Sequence, residues 1–344
     1  MSALKRGLSI LVRNPLEIIN NPFTAMDSIV AMVGGLMVDR SGSGYLILLA
    51  ILLLLLVLGM VVEIRKMNIY QHRAIPVPVV INIANPSNSG NAIGSLFDTI
   101  ESEGKYRSHR HNLSKYLDIS RDELIFNYNG DIYNKAMLLD FLKIVRHDIE
   151  QLKRKAPKST TIYLAYIGPA SVAILVGTLF VQDGVKIFQY DRSSESYQTA
   201  IDVNDRALKE DTDRFEKFDL EEPSEKKSDR VTVAIDAAAH KIKLEEDSIK
   251  NYGDIYYLKT KSNGTIDKDE DWLQYCREVF KVLNLCQQQY QEIRVVYSMP
   301  VALGILLGMA AQNYWNVMLT NYDSQSSTYK DVVRLNEVVY FSFS

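Results

Sequence analysis

Two short stretches of the sequence have the residues to seat an anion. Gly168-Pro169-Ala170-Ser171 and Ser298-Met299-Pro300-Val301 each close one apolar run and open another. Proline is favoured in the first turn of a helix, where its missing N–H is no loss. A helix that starts there presents free backbone N–H groups and the positive end of its dipole, which suits phosphate or another anion. In open α/β sheets, ligands bind outside the carboxyl ends of the strands. Gly168, Pro169, Ser171, Ser298, Met299 and Pro300 are therefore candidate ligand residues. An ordinary tight strand-to-helix junction accounts for the same residues equally well.

Two polar loops belong beside these junctions. Asn85, Ser87 and Asn88 follow an apolar stretch near residue 80, and their amides and hydroxyl suit base edges or phosphates. Asp236, His240 and Lys241 follow a second such stretch, and Lys241 is suited to a phosphate. Plain turn chemistry also explains the Asn, Ser and Gly content. No GxGxxG, GxxxxGK[ST] or GxSxG pattern occurs, which disfavours a nicotinamide site, a phosphate loop and a nucleophile elbow. Of the 5 histidines only His109 and His111 lie close together. They lack neighbouring ligands at metal spacing, so they read as a surface loop and no metal is expected. No carboxylate pair stands out as acid and base, and a non-catalytic protein is the expectation.

The elements that must position these residues are written twice. Residues 162–197 and 293–329 each read strand, proline, helix, strand, and Tyr166, Pro169 and Gly177 align with Tyr297, Pro300 and Gly308. With a one-residue gap, Tyr190-Asp191 aligns with Tyr322-Asp323, and Tyr197 with Tyr329. Each block follows a long amphipathic stretch, 131–155 and 268–291. Each stretch follows an Asn-Gly pair, and each unit opens with an apolar strand, 77–84 and 231–237. Such spacing marks duplication of a structural unit, and alternating apolar runs and amphipathic stretches predict α/β architecture. Residues 202–230 are dense in charge and read as a solvated linker.

Upstream, residues 45–62 form an uncharged, leucine-rich run about 27 Å long as a helix, close to the hydrocarbon thickness of a bilayer. Residues 23–38 make a shorter candidate span, with Asp27 one turn in. Lys5, Arg6 and Arg13 precede both runs, Arg65, Lys66 and Arg73 follow them, and the connecting turn holds only Arg40. A two-helix hairpin with both flanks in the cytosol satisfies the positive-inside rule. A single span with an in-plane helix is the alternative. The 2 cysteines, Cys276 and Cys286, sit about 15 Å apart along one expected helix. Free thiols point to a reducing compartment, the cytosol, for the soluble part. A net charge of −3 offers no basic field for duplex nucleic acid.

The strand–proline–helix–glycine–strand–Tyr-Asp pattern of 293–323, echoed at 162–191, resembles the C-terminal signature of SAVED domains, and the resemblance spans about 76–344. It implies two fused CARF-like, Rossmann-like halves at 76–201 and 231–344, joined by the 202–230 linker and preceded by a membrane module at 1–70. It further implies a receptor for a cyclic di- or trinucleotide made by a cognate nucleotidyltransferase in a bacterial anti-phage (CBASS) system. Ligand-driven self-association would then disrupt the inner membrane. Asn85, Ser87, Gly168, Pro169, Ser298 and Pro300 fall where that family's pocket-edge loops lie. Three rival readings stay open: a membrane-bound CARF-type ring nuclease, a membrane-tethered α/β enzyme, and a scaffold that binds nothing.

Overall fold

Apolar residues run without interruption through 75–81, and such runs suit a strand buried on both faces of a parallel sheet. In the computed structural model this strand, β1 (Ile75–Asn82), is buried at every position. The structure describes residues 42–338 except 105, 157–159, 181–183, 192–193, 204–206, 211, 213, 263, 265, 268 and 312–314, with backbone only at 42–49, Leu52 and Ala207. The chain divides into two units, Met1–Ala74 and Ile75–Ser344.

In the first unit, helix α1 (Gly42–His72) carries the uncharged 45–62 run. Leu53, Leu54, Val57 and Leu58 along it are each more than 40% exposed. Among the described residues, no helix is long and apolar enough to cross a membrane. The expected 23–38 span lies outside the described residues.

The second unit holds two sheets. The first has strand order β2-β1-β3-β4-β5, with β2 (Ile125–Asn127), β3 (Thr160–Ile167), β4 (Gly184–Asp191) and β5 (Ser196–Val203). All pairings are parallel except β4 with β5. The second has order β11-β10-β9-β7-β8-β6, with β6 (Phe218–Glu221), β7 (Arg230–Asp236), β8 (Asp254–Thr260), β9 (Glu292–Ser298), β10 (Val317–Asp323) and β11 (Thr328–Arg334). Strands β1 to β5 correspond in order and direction to β7, β8, β9, β10 and β11, and β6 is the one addition. The duplication read from the sequence is therefore a duplicated sheet.

Prolines 76 and 78 sit in a central strand, where a missing N–H usually breaks a ladder. They are tolerated because β2 reaches only Val80, Ile81 and Asn82, so the flank of β1 beside the prolines is open. The ring of His109 caps that flank, with Nε2 2.8 Å from the Pro76 carbonyl. His109 opens a helix (α3, His109–Leu117) that follows α2 (Ser89–Ser102), and it is fully buried beside Phe97 and Tyr106. This corrects the surface-loop reading of 109–111.

The two long helices start a turn later than the sequence suggests, at α4 (Lys135–Lys155) and α7 (Trp272–Gln289). Asn134 and Asp271 set the starts, their side chains accepting from the N–H groups of Met137 at 3.3 Å and Gln274 at 3.1 Å. A single turn, α6 (Asp247–Lys250), precedes β8.

The expected linker departs most from its solvated reading. Strand β5 runs on to Val203, and 218–221 forms edge strand β6, antiparallel to β8. Its Phe218 is fully buried. Buried Glu278 of α7 accepts the backbone N–H groups of Glu216, Lys217 and Phe218 at 2.7, 3.0 and 2.9 Å. A few buried apolar residues and the buried acceptors Glu278 and Asp254 thus hold a segment whose composition alone reads as coil.

The two halves meet through α5 (Ala170–Thr178) and α8 (Val301–Ala310), both buried along almost their whole length. A Cβ on Gly177 would lie 2.8 Å from the Gly308 Cα, and the reverse distance is also 2.8 Å. Gly304 faces Ala170 and Ala173, while Gly308 faces Ile174 and Gly177. That order means the helices run in the same direction, so both N-termini lie at one end of the seam.

Candidate functional site

Each sheet reverses its strand order once. In the first sheet the chain runs from β1 outward to β2 and then back to β3. In the second it runs from β7 to β8 and back to β9. Ligands of open α/β sheets bind at such switch points, outside the carboxyl ends of the strands. Asn82 pairs with Ile167 at one switch point and Asp236 with Ser298 at the other. The same hydrogen bond closes both, from Ile83 N–H to Ile167 O and from Ala237 N–H to Ser298 O, each 2.7 Å. All twelve candidate residues lie on the four chain segments leaving these strand ends.

In the first half a neutral network holds the edge. Asn82 is buried; its Oδ1 accepts the Ala84 N–H at 2.9 Å, and its Nδ2 donates to Asn85 O at 2.8 Å and Ser89 Oγ at 2.7 Å. Ser89 in turn donates to Asn127 Oδ1 at 2.7 Å. Asn85 Oδ1 accepts the Ser87 N–H at 3.1 Å, which fixes the short 3-10 turn Pro86–Asn88. Asn85, Ser87 and Asn88 are exposed on the rim. Gly168 has φ +155, and a Cβ there would lie 2.5 Å from the Tyr166 hydroxyl, so this position accepts only glycine. Tyr166 spans the turn and donates to Pro169 O at 2.8 Å.

In the second half the edge is charged. Asp236 is fully buried and accepts from the Tyr257 hydroxyl at 2.8 Å and from Lys241 Nζ at 3.3 Å. Burial, then the adjacent carboxylate, pushes the Tyr257 hydroxyl above its ordinary range. The Lys241 ammonium is paired with this acid and donates to Ala238 O at 3.4 Å, and half its side chain is exposed. His240 is exposed beside it. Ser298 is half-buried, and Met299 and Pro300 are buried.

Proline stands one position earlier than the sequence reading. Pro169 and Pro300 are the N-caps of α5 and α8, with ψ 146 at both, rather than first-turn residues. The free N–H groups behind them are partly used across the seam, since Ala302 N–H reaches Gln189 Oε1 of the other half at 3.4 Å. Ser171 is fully buried beside the Tyr297 hydroxyl, and its Oγ makes no hydrogen bond of good geometry. The rim residues Asn85, Ser87, Asn88, His240 and Lys241 are thus exposed, whereas Ser171, Asp236, Met299 and Pro300 are buried. Asn82, Ser89, Asn127, Tyr257 and Gln189 complete the edge. Only partners brought from other strands reveal their place.

Strands β4 and β10 end at the same edge and share one local shape. Their pairings with β5 and β11 shift register between Ile187 and Phe188 and between Leu319 and Thr320. Both following hairpins hold a positive-φ residue, Glu195 at 50° and Ser327 at 51°. In each, a serine donates to the strand-end aspartate, Ser194 to Asp191 at 3.0 Å and Ser326 to Asp323 at 2.7 Å. Among the described residues no cluster of three metal-ligating side chains occurs.

Residues 149–335, more than half of the chain, match the family model for the SAVED domain, described as "SMODS-associated and fused to various effectors sensor domain". Among solved structures, the Acinetobacter baumannii Cap4 SAVED/CARF-domain containing receptor with the cyclic trinucleotide 3'3'3'-cAAA aligns at a TM-score of 0.47 and 14% identity, over 71% of this chain and 61% of that one. The same receptor with 2'3'3'-cAAA gives 0.48 and 13%, over 71% and 61%. The Moraxella osloensis Cap4 receptor gives 0.44 and 12%, over 75% and 50%. This chain therefore spans between half and two thirds of the receptors it aligns with. No curated protein matches the sequence.

Proposed function

We propose, starting from the fact that this chain belongs to the SAVED family of sensor domains, that it is the receptor for a cyclic oligonucleotide second messenger. One observation carries the reading: two switch-point edges, one from each half, flank a single seam whose helices point their N-termini the same way. The first edge offers amides and hydroxyls suited to sugar and base edges. The second offers Lys241, a half-exposed cation held by Asp236 and suited to a phosphate. The Acinetobacter baumannii Cap4 receptor was solved with cyclic trinucleotides, which makes a cyclic trinucleotide the first ligand to try. The receptor itself is non-catalytic in this reading, and a cognate nucleotidyltransferase of a bacterial anti-phage system supplies the ligand.

The output is at a membrane. The uncharged run 45–62, flanked by Arg65, Lys66 and Arg73, supports a span, and 23–38 supports a second one completing a hairpin. The soluble unit then faces the cytosol of a bacterial inner membrane. Ligand acts by linkage: it binds an associated state better than the monomer, and association brings hairpins together until the bilayer fails. Liposomes carrying the full chain and a trapped dye test both steps. Cyclic trinucleotide should produce oligomers and leakage, and should be recovered intact. Leakage without ligand, or ligand returned cleaved, contradicts the proposal.

A further inference from the structure

Tyr190 and Tyr322 mark the repeat in the sequence, and their positions suit them to bind. They stand at the carboxyl ends of β4 and β10, parallel neighbours of the switch-point strands β3 and β9. Each ring is open to solvent, 43% and 47%. Single exposed hydrophobics are ordinary, but these two occupy the same place in halves whose preceding residues differ, Lys186-Ile187-Phe188-Gln189 in one and Met318-Leu319-Thr320-Asn321 in the other.

Local backbone geometry leaves both rings exposed. A strand alternates its side chains between faces, and a bulge re-aims whatever follows it. Ile187 and Phe188 are both buried, as are Leu319 and Thr320, because each pair straddles the register shift. The tyrosine two residues later is the first exposed residue of its strand and lies past the last residue paired with β3 or β9. It is also braced from the partner strand. Tyr197 lies directly opposite Tyr190 and Tyr329 opposite Tyr322, with ring centroids 5.3 Å apart in both pairs. Tyr197 and Tyr329 are buried, so each outer ring rests on an anchored inner one.

The residues just before both rings reach across the seam. Gln189, next to Tyr190, accepts from Ala302 of the second half, and Asn321, next to Tyr322, donates to the Tyr133 hydroxyl of the first half at 3.3 Å. The polar groups of the two edges suit phosphates, sugars and base edges, and none of them covers the face of a base. A braced, exposed aromatic ring does, and it accepts any base because every base has a π-face.

We propose that Tyr190 and Tyr322 are paired stacking platforms, each taking one nucleobase of a bound cyclic oligonucleotide. The proposal rests on the receptor reading above. The test uses the full chain in detergent and a cyclic trinucleotide with 2-aminopurine in place of one adenine, whose fluorescence falls when the base stacks. Unlabelled cyclic di- and trinucleotides compete against it. Wild-type protein quenches the probe. Tyr190→Leu and Tyr322→Leu lose quenching and bind roughly 5- to 150-fold more weakly, the range of base–aromatic stacking, while Tyr190→Phe and Tyr322→Phe restore both. Thermal melts establish that the exposed substitutions fold. Leucine variants that bind and quench like wild type overturn the stacking proposal while leaving the receptor intact. Wild-type protein that binds neither probe nor any competitor overturns the receptor reading itself.

Discussion

Replacing Gly177 by alanine sets two effects of known sign against each other. In a helix interior, alanine is favoured over glycine by about 0.8–1 kcal/mol. At the α5–α8 crossing, however, the new methyl would lie 2.8 Å from the Gly308 Cα and closer still to the Ile305 carbonyl. Carbon atoms rest at about 3.5–4.0 Å, so the helices must part by roughly 1 Å, which forfeits a quarter to a half of each contact at the crossing. The obstruction is backbone, which has no rotamer to escape into. Overpacking of this kind costs about 1–3 kcal/mol and sometimes more. Packing wins at this site by up to about 2 kcal/mol net, and Gly177→Ala should lower the melting temperature by up to about 8 °C at roughly 2–4 °C per kcal/mol. Gly94, in α2, is the control, because a Cβ there meets nothing within 4 Å. Gly94→Ala should raise the melting temperature by about 2–4 °C. Differential scanning fluorimetry of the full chain in detergent reads both. If Gly177→Ala stabilises as Gly94→Ala does, the close parallel seam is wrong.

Burial lowers the His109 pKa from 6.5 to about 4. Below pH 6.5 the unfolded chain takes up a proton that the folded one refuses, so this contribution is intact above about pH 7. It is lost as pH falls toward 4, by up to roughly 3 kcal/mol. The difference in urea midpoint between pH 7.5 and 5 should shrink in His109→Gln. Lys241→Gln should weaken a phosphate-bearing ligand by about 1.5 kcal/mol, roughly tenfold by calorimetry, because it deletes a charge-assisted hydrogen bond. Unchanged affinity would remove Lys241 from the site. Glu278→Ala should release three backbone N–H groups of 216–218. Amide exchange should then quicken across 216–221 while α7 stays protected; equal loss in both would mean the strand is not a separate strap.

The repeat was legible because its marks are residues with rigid roles. Pro169 and Pro300 start helices, and Gly177 and Gly308 permit one close crossing. Tyr190 and Tyr322 follow the same bulge. The strand ends were legible too, since loop chemistry and switch-point geometry choose the same residues. What the sequence hid depends on partners distant in the chain. Phe218 sits in a strand of a charge-rich stretch because β8 pairs with it and Glu278, sixty residues later, accepts its own and its neighbours' amides. His109 looks like half of a surface pair until the open flank of β1 supplies its carbonyl. Ser171 and Asp236 read as ligand contacts because type and spacing say nothing of depth, and both are fully buried.

Titration of the full-length protein with a panel of cyclic di- and trinucleotides, followed by calorimetry and thermal shift, tests the central claim most directly. The account predicts saturable binding of one member to the second unit. The melting temperature should rise with ligand concentration, reaching about 2.7 kcal/mol of added stability at a hundredfold excess over Kd. It also predicts that this binding falls in Lys241→Gln. A flat melting temperature and no heat for every member, at concentrations into the millimolar range, would contradict it.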